Sequence, residues 1–139
     1  MHSMLCSAAM HLFILGQGSY DTINYHKHKA VTAVNSNLAD PKISLSDADI
    51  AAVFTLLTIE ESLMLPMFKP YAPQGQGDSH EQRKIHLSGL KRMLQLRGGL
   101  RALETNKCLQ ALIVWYVPST LHLNAVSDIC TNPLVTYTM

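Results

Sequence analysis

The chain has 139 residues, with 11 Lys+Arg against 10 Asp+Glu, 47% hydrophobic and 15% charged side chains, and a formal net charge of +1. That composition reads as one soluble globular domain, long enough to bury roughly 68% of the surface its unfolded form exposes without disulfides or a structural metal. Balanced charge excludes binding to nucleic acid by bulk electrostatics, so any contact with a polyanion has to be local.

The apolar run Met4 to Leu15 is interrupted by Ser7 and His11 and falls short of the ~20 residues of a membrane span. No Lys or Arg precedes it and no small-x-small site follows it before Gly16, which argues against a signal peptide and for a core helix. Cys6, Cys108 and Cys130 are odd in number, widely spaced and free of any Cys-x-x-Cys pair. They are expected to be buried, reduced thiols of an intracellular protein, not a disulfide scaffold or zinc module.

From Ser19 to Asp40, the apolar Ile23, Ala30, Ala33, Val34 and Leu38 keep the i, i+3, i+4 steps of one helix face, while His26, Lys27 and His28 fall largely elsewhere. Asp40-Pro41 stops this helix, because the residue before a proline is pushed out of the helical region. Ser46 opens the next, and Asp49 three residues on gives the capping-box spacing. Ile50, Val53, Phe54, Leu57 and Met64 form its stripe.

Pro66, Pro70, Pro73, Gly75 and Gly77 mark residues 65–79 as the main loop. Ser79 and Gln82 repeat the capping-box spacing, and Glu81 to Arg97 carries Leu87, Leu90, Met93 and Leu94 on one side. Gly98-Gly99 ends this helix, since glycine takes the left-handed conformation without a Cβ penalty, and Leu100 to Leu103 adds one further turn. Asn106 caps a last helix with apolar Leu109, Leu112, Ile113 and Tyr116, until Pro118 kinks or ends it. Leu121 to Val126 could resume the helix, and Thr131 to Met139 reads as a loosely held tail. No strand pattern competes and no strict repeat is present. The expected fold is all-α, four to five packed antiparallel helices in one domain over residues 1–127, with an irregular tail at 128–139.

One segment is more specific than periodicity. His86-Leu87-Ser88-Gly89-Leu90-Lys91-Arg92-Met93-Leu94-Gln95-Leu96-Arg97-Gly98-Gly99-Leu100 resembles the fungal-specific transcription factor domain, whose pattern there is a His, a Gly-Leu step, a Met and an Arg-Gly-Gly-Leu turn. Tyr25 to Leu38 resembles the family's helix ending in an Asn-x-x-Leu stretch. Ser46 to Glu60 resembles the family's capped helix ending near an acid, and Leu109 to Trp115 the leucine-rich helix ending in tryptophan. The resemblance covers about residues 20–117. It singles out His86, Gly89, Leu90, Met93, Arg97, Gly98, Gly99 and Trp115 as structural motif residues. The chain departs from the pattern at Val117 and Pro118, where the family commonly has an acid after the tryptophan, and it has no six-cysteine zinc cluster.

The remaining polar residues have plain structural readings. His26 and His28 point about 200° apart on a helix and cannot share a metal, so both are expected at the surface. His80 and His86 lie on poorly matched faces. Glu60 and Glu61 are sequential and diverge, so they do not pair as acid and base, and Glu60 is expected in a buried or half-buried structural hydrogen bond. Gly16-x-Gly18 and Gly75-x-Gly77 lack the context of a phosphate cradle and read as turns. Asp78, Ser79 and His80 are adjacent in sequence, the wrong geometry for a triad. Arg83, Lys84, Lys91, Arg92, Arg97 and Arg101 lie in a span without an acid, expected as a solvated face whose last-turn cations complement the helix dipole. Arg97 is expected to hydrogen-bond carbonyls of the helix end.

No catalytic residue, metal or cofactor is therefore expected. The resemblance implies a non-catalytic regulatory domain of a nuclear transcription factor, a truncated or stand-alone copy. It would act through protein partners or self-association, with no membrane contact and no sequence-specific DNA binding by this chain alone. A helical-repeat adaptor is the alternative, and it would need self-similar helix pairs of about 34 residues.

Overall fold

A computed structural model describes residues 1–40, 45–68, 70 and 79–120. The stop at Pro41, the loop residues Pro73 to Asp78, the thiol Cys130 and the tail beyond Thr120 lie outside the described residues. The chain is all-α. Its helices are α1 (His2–Ile14), α2 (Tyr20–Ala39), α3 (Asp47–Leu63), α4 (Ser79–Arg97) and α5 (Lys107–Thr120), with a 3₁₀ turn at Leu100–Leu103. Two compact units divide within α4, one spanning Met1–Gly89 and the other beginning at Leu90.

In the first unit α1, α2 and α3 pack on one another. Each boundary has a local cause. The Leu12 and Phe13 carbonyls at the end of α1 accept from Gln17 N at 2.9 Å and Gly16 N at 3.0 Å, a Schellman closure that needs positive φ at Gly16, found at +72°. Ser19 Oγ accepts from Thr22 N at 3.2 Å to start α2, and Asp40 leaves the helix in an extended conformation. The Ser46–Asp49 capping box is formed from both sides.

Cys6, Ala9, Met10, Ile23, Ile59, Leu63 and Phe68 form a buried cluster, with Phe13 and Tyr20 packed against it. On α3 the expected Ile50, Val53, Phe54 and Leu57 are buried, and so are Leu56, Ile59 and Leu63. The helix buries more than a stripe because it meets both α1 and α2. Its half-buried hydroxyls are satisfied internally, Thr55 Oγ1 donating to Ala51 O and Ser62 Oγ to Thr58 O. Met64 is only half-buried because it caps the helix.

Three apolar assignments in this unit are corrected. Ala33, read as part of the inward face of α2, is exposed beside the buried Val34. Leu38 is 45% exposed, since it falls in the last turn of α2 after the buried positions Ile23, Ala30 and Val34 have ended. The run read as a core helix is only half that. Ser3, Cys6, Ala9 and Met10 of α1 are buried, while Met4, Leu5, Leu12, Ile14 and Leu15 face outward.

In the second unit Leu90, Met93, Leu94, Leu103, Leu109 and Ile113 are buried. Asn106 Oδ1 accepts from Leu109 N at 3.2 Å and starts α5, as expected. Leu112 is exposed, because the inward face of α5 is defined by Leu109 and Ile113, four apart, and Leu112 lies beside it. Pro118 does not end the helix, which continues to Thr120. A proline this close to a helix end removes one amide donor and leaves few later turns to disturb.

Candidate functional site

Polar groups converge in the first unit. Glu60 shares a helix face with Ile50, Val53 and Leu57, so its carboxyl is carried into the core, with 0% exposure. A buried carboxylate needs a partner, and α2 supplies it. Lys27 Nζ lies 2.9 Å from Glu60 Oε1 and donates a second bond to Gln82 Oε1 of α4 at 3.0 Å. Beside this, Arg83 Nε donates to Glu61 Oε2 at 2.6 Å. The first half of α4 is thus fastened to α2 and α3 by side-chain hydrogen bonds.

Lys27, read from the sequence as lying off the apolar face, is 15% exposed at its side chain, because its long stem reaches inward to the buried acid. Gln82 Oε1, read as part of a helix cap, accepts from Lys27; Ser79 is the first residue of α4 and not the residue before it. Arg83 is 8% exposed and leaves the supposed solvated basic face, because α4 turns it toward Glu61. The other cations are dispersed. Lys84 approaches Glu81 at 3.7 Å and Arg101 approaches Glu104 at 3.6 Å, both pairs exposed, while Arg92 is exposed.

Above the cluster is a cleft of about 450 Å³ lined by Asn24, Lys27, His28 and Val31 from α2 and Gln82, Ile85 and His86 from α4. The spacings i, i+3, i+4, i+7 and i, i+3, i+4 put each set on one helix face. His86 is half-buried. Burial pushes its imidazole below the usual value; the Glu60 charge opposes that and the Lys27 charge adds to it.

Cys6 is fully buried and donates to the Ile23 carbonyl at 3.4 Å. Burial pushes its thiol up to about 11, Lys27 pulling down and Glu60 pushing further up. It is therefore a protonated thiol at neutral pH and a poor nucleophile. Cys108 is exposed, against expectation, because it sits in the first turn of α5, before the buried Leu109.

His26 is half-buried and not at the surface, since its ring stacks on His2 with centroids 5.4 Å apart and the two Nδ1 atoms 3.2 Å apart. One ring must donate and the other accept. His28 is exposed. Among the described residues, no group of three or more His, Cys, Asp or Glu is placed to hold a metal ion, and no helix is long and apolar enough to cross a membrane.

The motif residues divide between the units. His86 lines the cleft, and Gly89 has open space where a Cβ would stand, so nothing in the structure explains the glycine. Leu90 and Met93 are buried. Arg97, Gly98 and Gly99 form one turn. Gly98 N donates to Gln95 O at 3.1 Å and Gly99 N to Leu94 O at 2.7 Å, the paired bonds of a Schellman motif, with φ of +100° and +85° at the glycines. Arg97 Nη2 donates to Ala102 O at 3.2 Å, in the following 3₁₀ turn and not at the helix end, because the double-glycine turn brings that carbonyl back toward it. Gln110 Nε2 donates to Leu100 O at 2.9 Å, tying α5 to the same turn. Trp115 is 76% exposed.

The Arg-Gly-Gly-Leu turn is therefore a formed structural unit, and residues 1–134 match the fungal specific transcription factor domain. The chain belongs to that family. No curated protein and no solved structure matches it. The match extends the resemblance beyond residues 20–117 to take in α1, and membership in this transcription factor domain family supports a role in transcription regulation.

Proposed function

We propose that this fungal-specific transcription factor domain is a non-catalytic regulatory module of the nucleus, working through contacts with other protein segments, further copies of itself included. The observation that carries the reading is the outer face of α1. Met4, Leu5, Leu12 and Leu15 are exposed, and α1 contains no Asp, Glu, Lys or Arg. Contiguous apolar surface of this kind marks protein contact sites. In the second unit Leu112, Val114 and Trp115 are also exposed, and aromatic residues are common anchors of such contacts. The cluster around Glu60 supports the non-catalytic part, since its acid is ion-paired with Lys27 and its thiol is held protonated.

The reading is tested by sedimentation of the chain across the micromolar range, with Leu12→Glu as the comparison. Association that weakens in the variant is the expected result, and a clean monomer throughout removes the support for self-contact. Fusion of the chain to an unrelated DNA-binding module should alter reporter transcription. Tight, sequence-dependent DNA binding by the chain alone in a gel shift at physiological salt would contradict it.

A further inference from the structure

The walls of the cleft between α2 and α4 are rich in donors that the described residues do not use. Lys27 has three ammonium hydrogens, of which one goes to Glu60 and one to Gln82. Gln82 accepts through Oε1, which leaves its amide hydrogens over. His86 is half-buried and lines the same cleft as Lys27. Val31 and Ile85 supply apolar wall, and no Asp or Glu lines the space. A cleft of about 450 Å³ is of the size that holds small molecules, which such sites orient with a few convergent polar groups on apolar walls.

From this arrangement we propose that the cleft binds a small organic carboxylate. Its carboxylate is taken by Lys27, Gln82 and His86, and its aliphatic or aromatic body lies on Val31 and Ile85. Donor count decides the class. The Lys27 charge is already matched by Glu60, so the preference rests on several N–H groups facing one ligand. A carboxylate accepts several such bonds at once, an alcohol fewer, and an ammonium group only adds donors to donors. The inference does not depend on the protein-contact reading, whose exposed side chains lie on α1 and α5.

The test is an NMR titration of the whole chain with hexanoate, hexan-1-ol and hexylamine, followed at the Val31 and Ile85 methyls and the His86 ring. Hexanoate should shift all three residues, with hexan-1-ol at least about tenfold weaker and hexylamine without saturable effect. His28→Glu changes an exposed side chain on the cleft and should weaken hexanoate about tenfold. Lys107→Glu, exposed on α5, alters net charge more and should leave the affinity unchanged. The proposal is overturned if hexanoate moves none of the three residues, if the alcohol or amine binds as well, or if His28→Glu and Lys107→Glu act alike. Ile85→Ala, at a side chain 60% exposed, is the second variant. It should weaken hexanoate without changing the preference over the alcohol, and an unchanged affinity there counts against the assigned apolar wall.

Discussion

Lys27 Nζ lies 2.9 Å from Glu60 Oε1, and the other carboxylate oxygen, Glu60 Oε2, is buried with no hydrogen-bond partner among the described residues. The pair is therefore half satisfied. Its acid has lost its water, and a single ammonium, itself shared with Gln82, compensates it.

Removing that ammonium should be costly. Breaking a buried ion pair from one side costs about 3–5 kcal/mol, and Lys27→Met should fall near the lower end because its side chain keeps some exposure. Glu60→Gln should cost about 1–3 kcal/mol, the range for a lost or orphaned buried partner. The double variant Lys27→Met/Glu60→Met should recover most of the loss. Urea denaturation decides it, and a Lys27→Met midpoint equal to the parent would show that Glu60 is not held as described.

His86 should make stability depend on pH. Burial depresses its folded-state value below the usual 6.5, so the unfolded chain takes up the proton first as pH falls. Stability is therefore full above about pH 6.5 and is lost as pH drops from there toward the folded-state value. His86→Gln should flatten that part of the profile. An unchanged slope between pH 7 and 5 in the variant would place the dependence on other groups.

Asp49 has the same sign, in a more acidic window. Burial alone would raise it, yet the Ser46 hydroxyl, the Asn37 amide and the Ser46 backbone amide together hold it below its usual 3.8. Its contribution is present above about pH 3.8 and is lost as pH falls through the folded-state value. Ser46→Ala should cost about 1 kcal/mol at neutral pH, and Asn37→Ala should cost a comparable amount because its Nδ2 donates to Asp49 Oδ1 at 2.7 Å. Both penalties should shrink near pH 2, and denaturation at the two pH values measures the difference.

Gly98 and Gly99 should tolerate no branched side chain. A Cβ at either would meet nothing within 4 Å, so the penalty comes from backbone conformation alone. Left-handed backbone costs roughly 1–2 kcal/mol for a residue with a Cβ, and Gly99, at φ 85° and ψ −168°, lies in a region essentially confined to glycine. Gly98→Val and Gly99→Val should each destabilise the domain clearly, Gly98→Asn should be milder, and Lys91→Ala should change stability by less than about 0.5 kcal/mol. Parental midpoints for both valine variants would mean that this turn does not anchor the 3₁₀ segment carrying the buried Leu103.

What the sequence determined by itself was the local grammar. Ser19, Ser46 and Asn106 start helices and Gly98-Gly99 ends one, because caps and positive-φ turns are decided by bonds within a few residues. The family could be read from the same turn. Glu60 was expected in a buried or half-buried hydrogen bond from its match to the family's acid, and it is fully buried because it continues the stripe of Ile50, Val53 and Leu57. Its partner was not legible. Lys27 lies 33 residues away on another helix, and only the packing of α2 on α3 brings its long stem to the carboxylate. Packing between other helices turned Arg83 inward, gave Gln82 to Lys27 and stacked His26 on His2. It also left Leu12, Leu38 and Leu112 exposed. Periodicity states which residues share a face, but which part of that face is covered depends on where the neighbouring helices cross it, a long-range matter that no local pattern encodes.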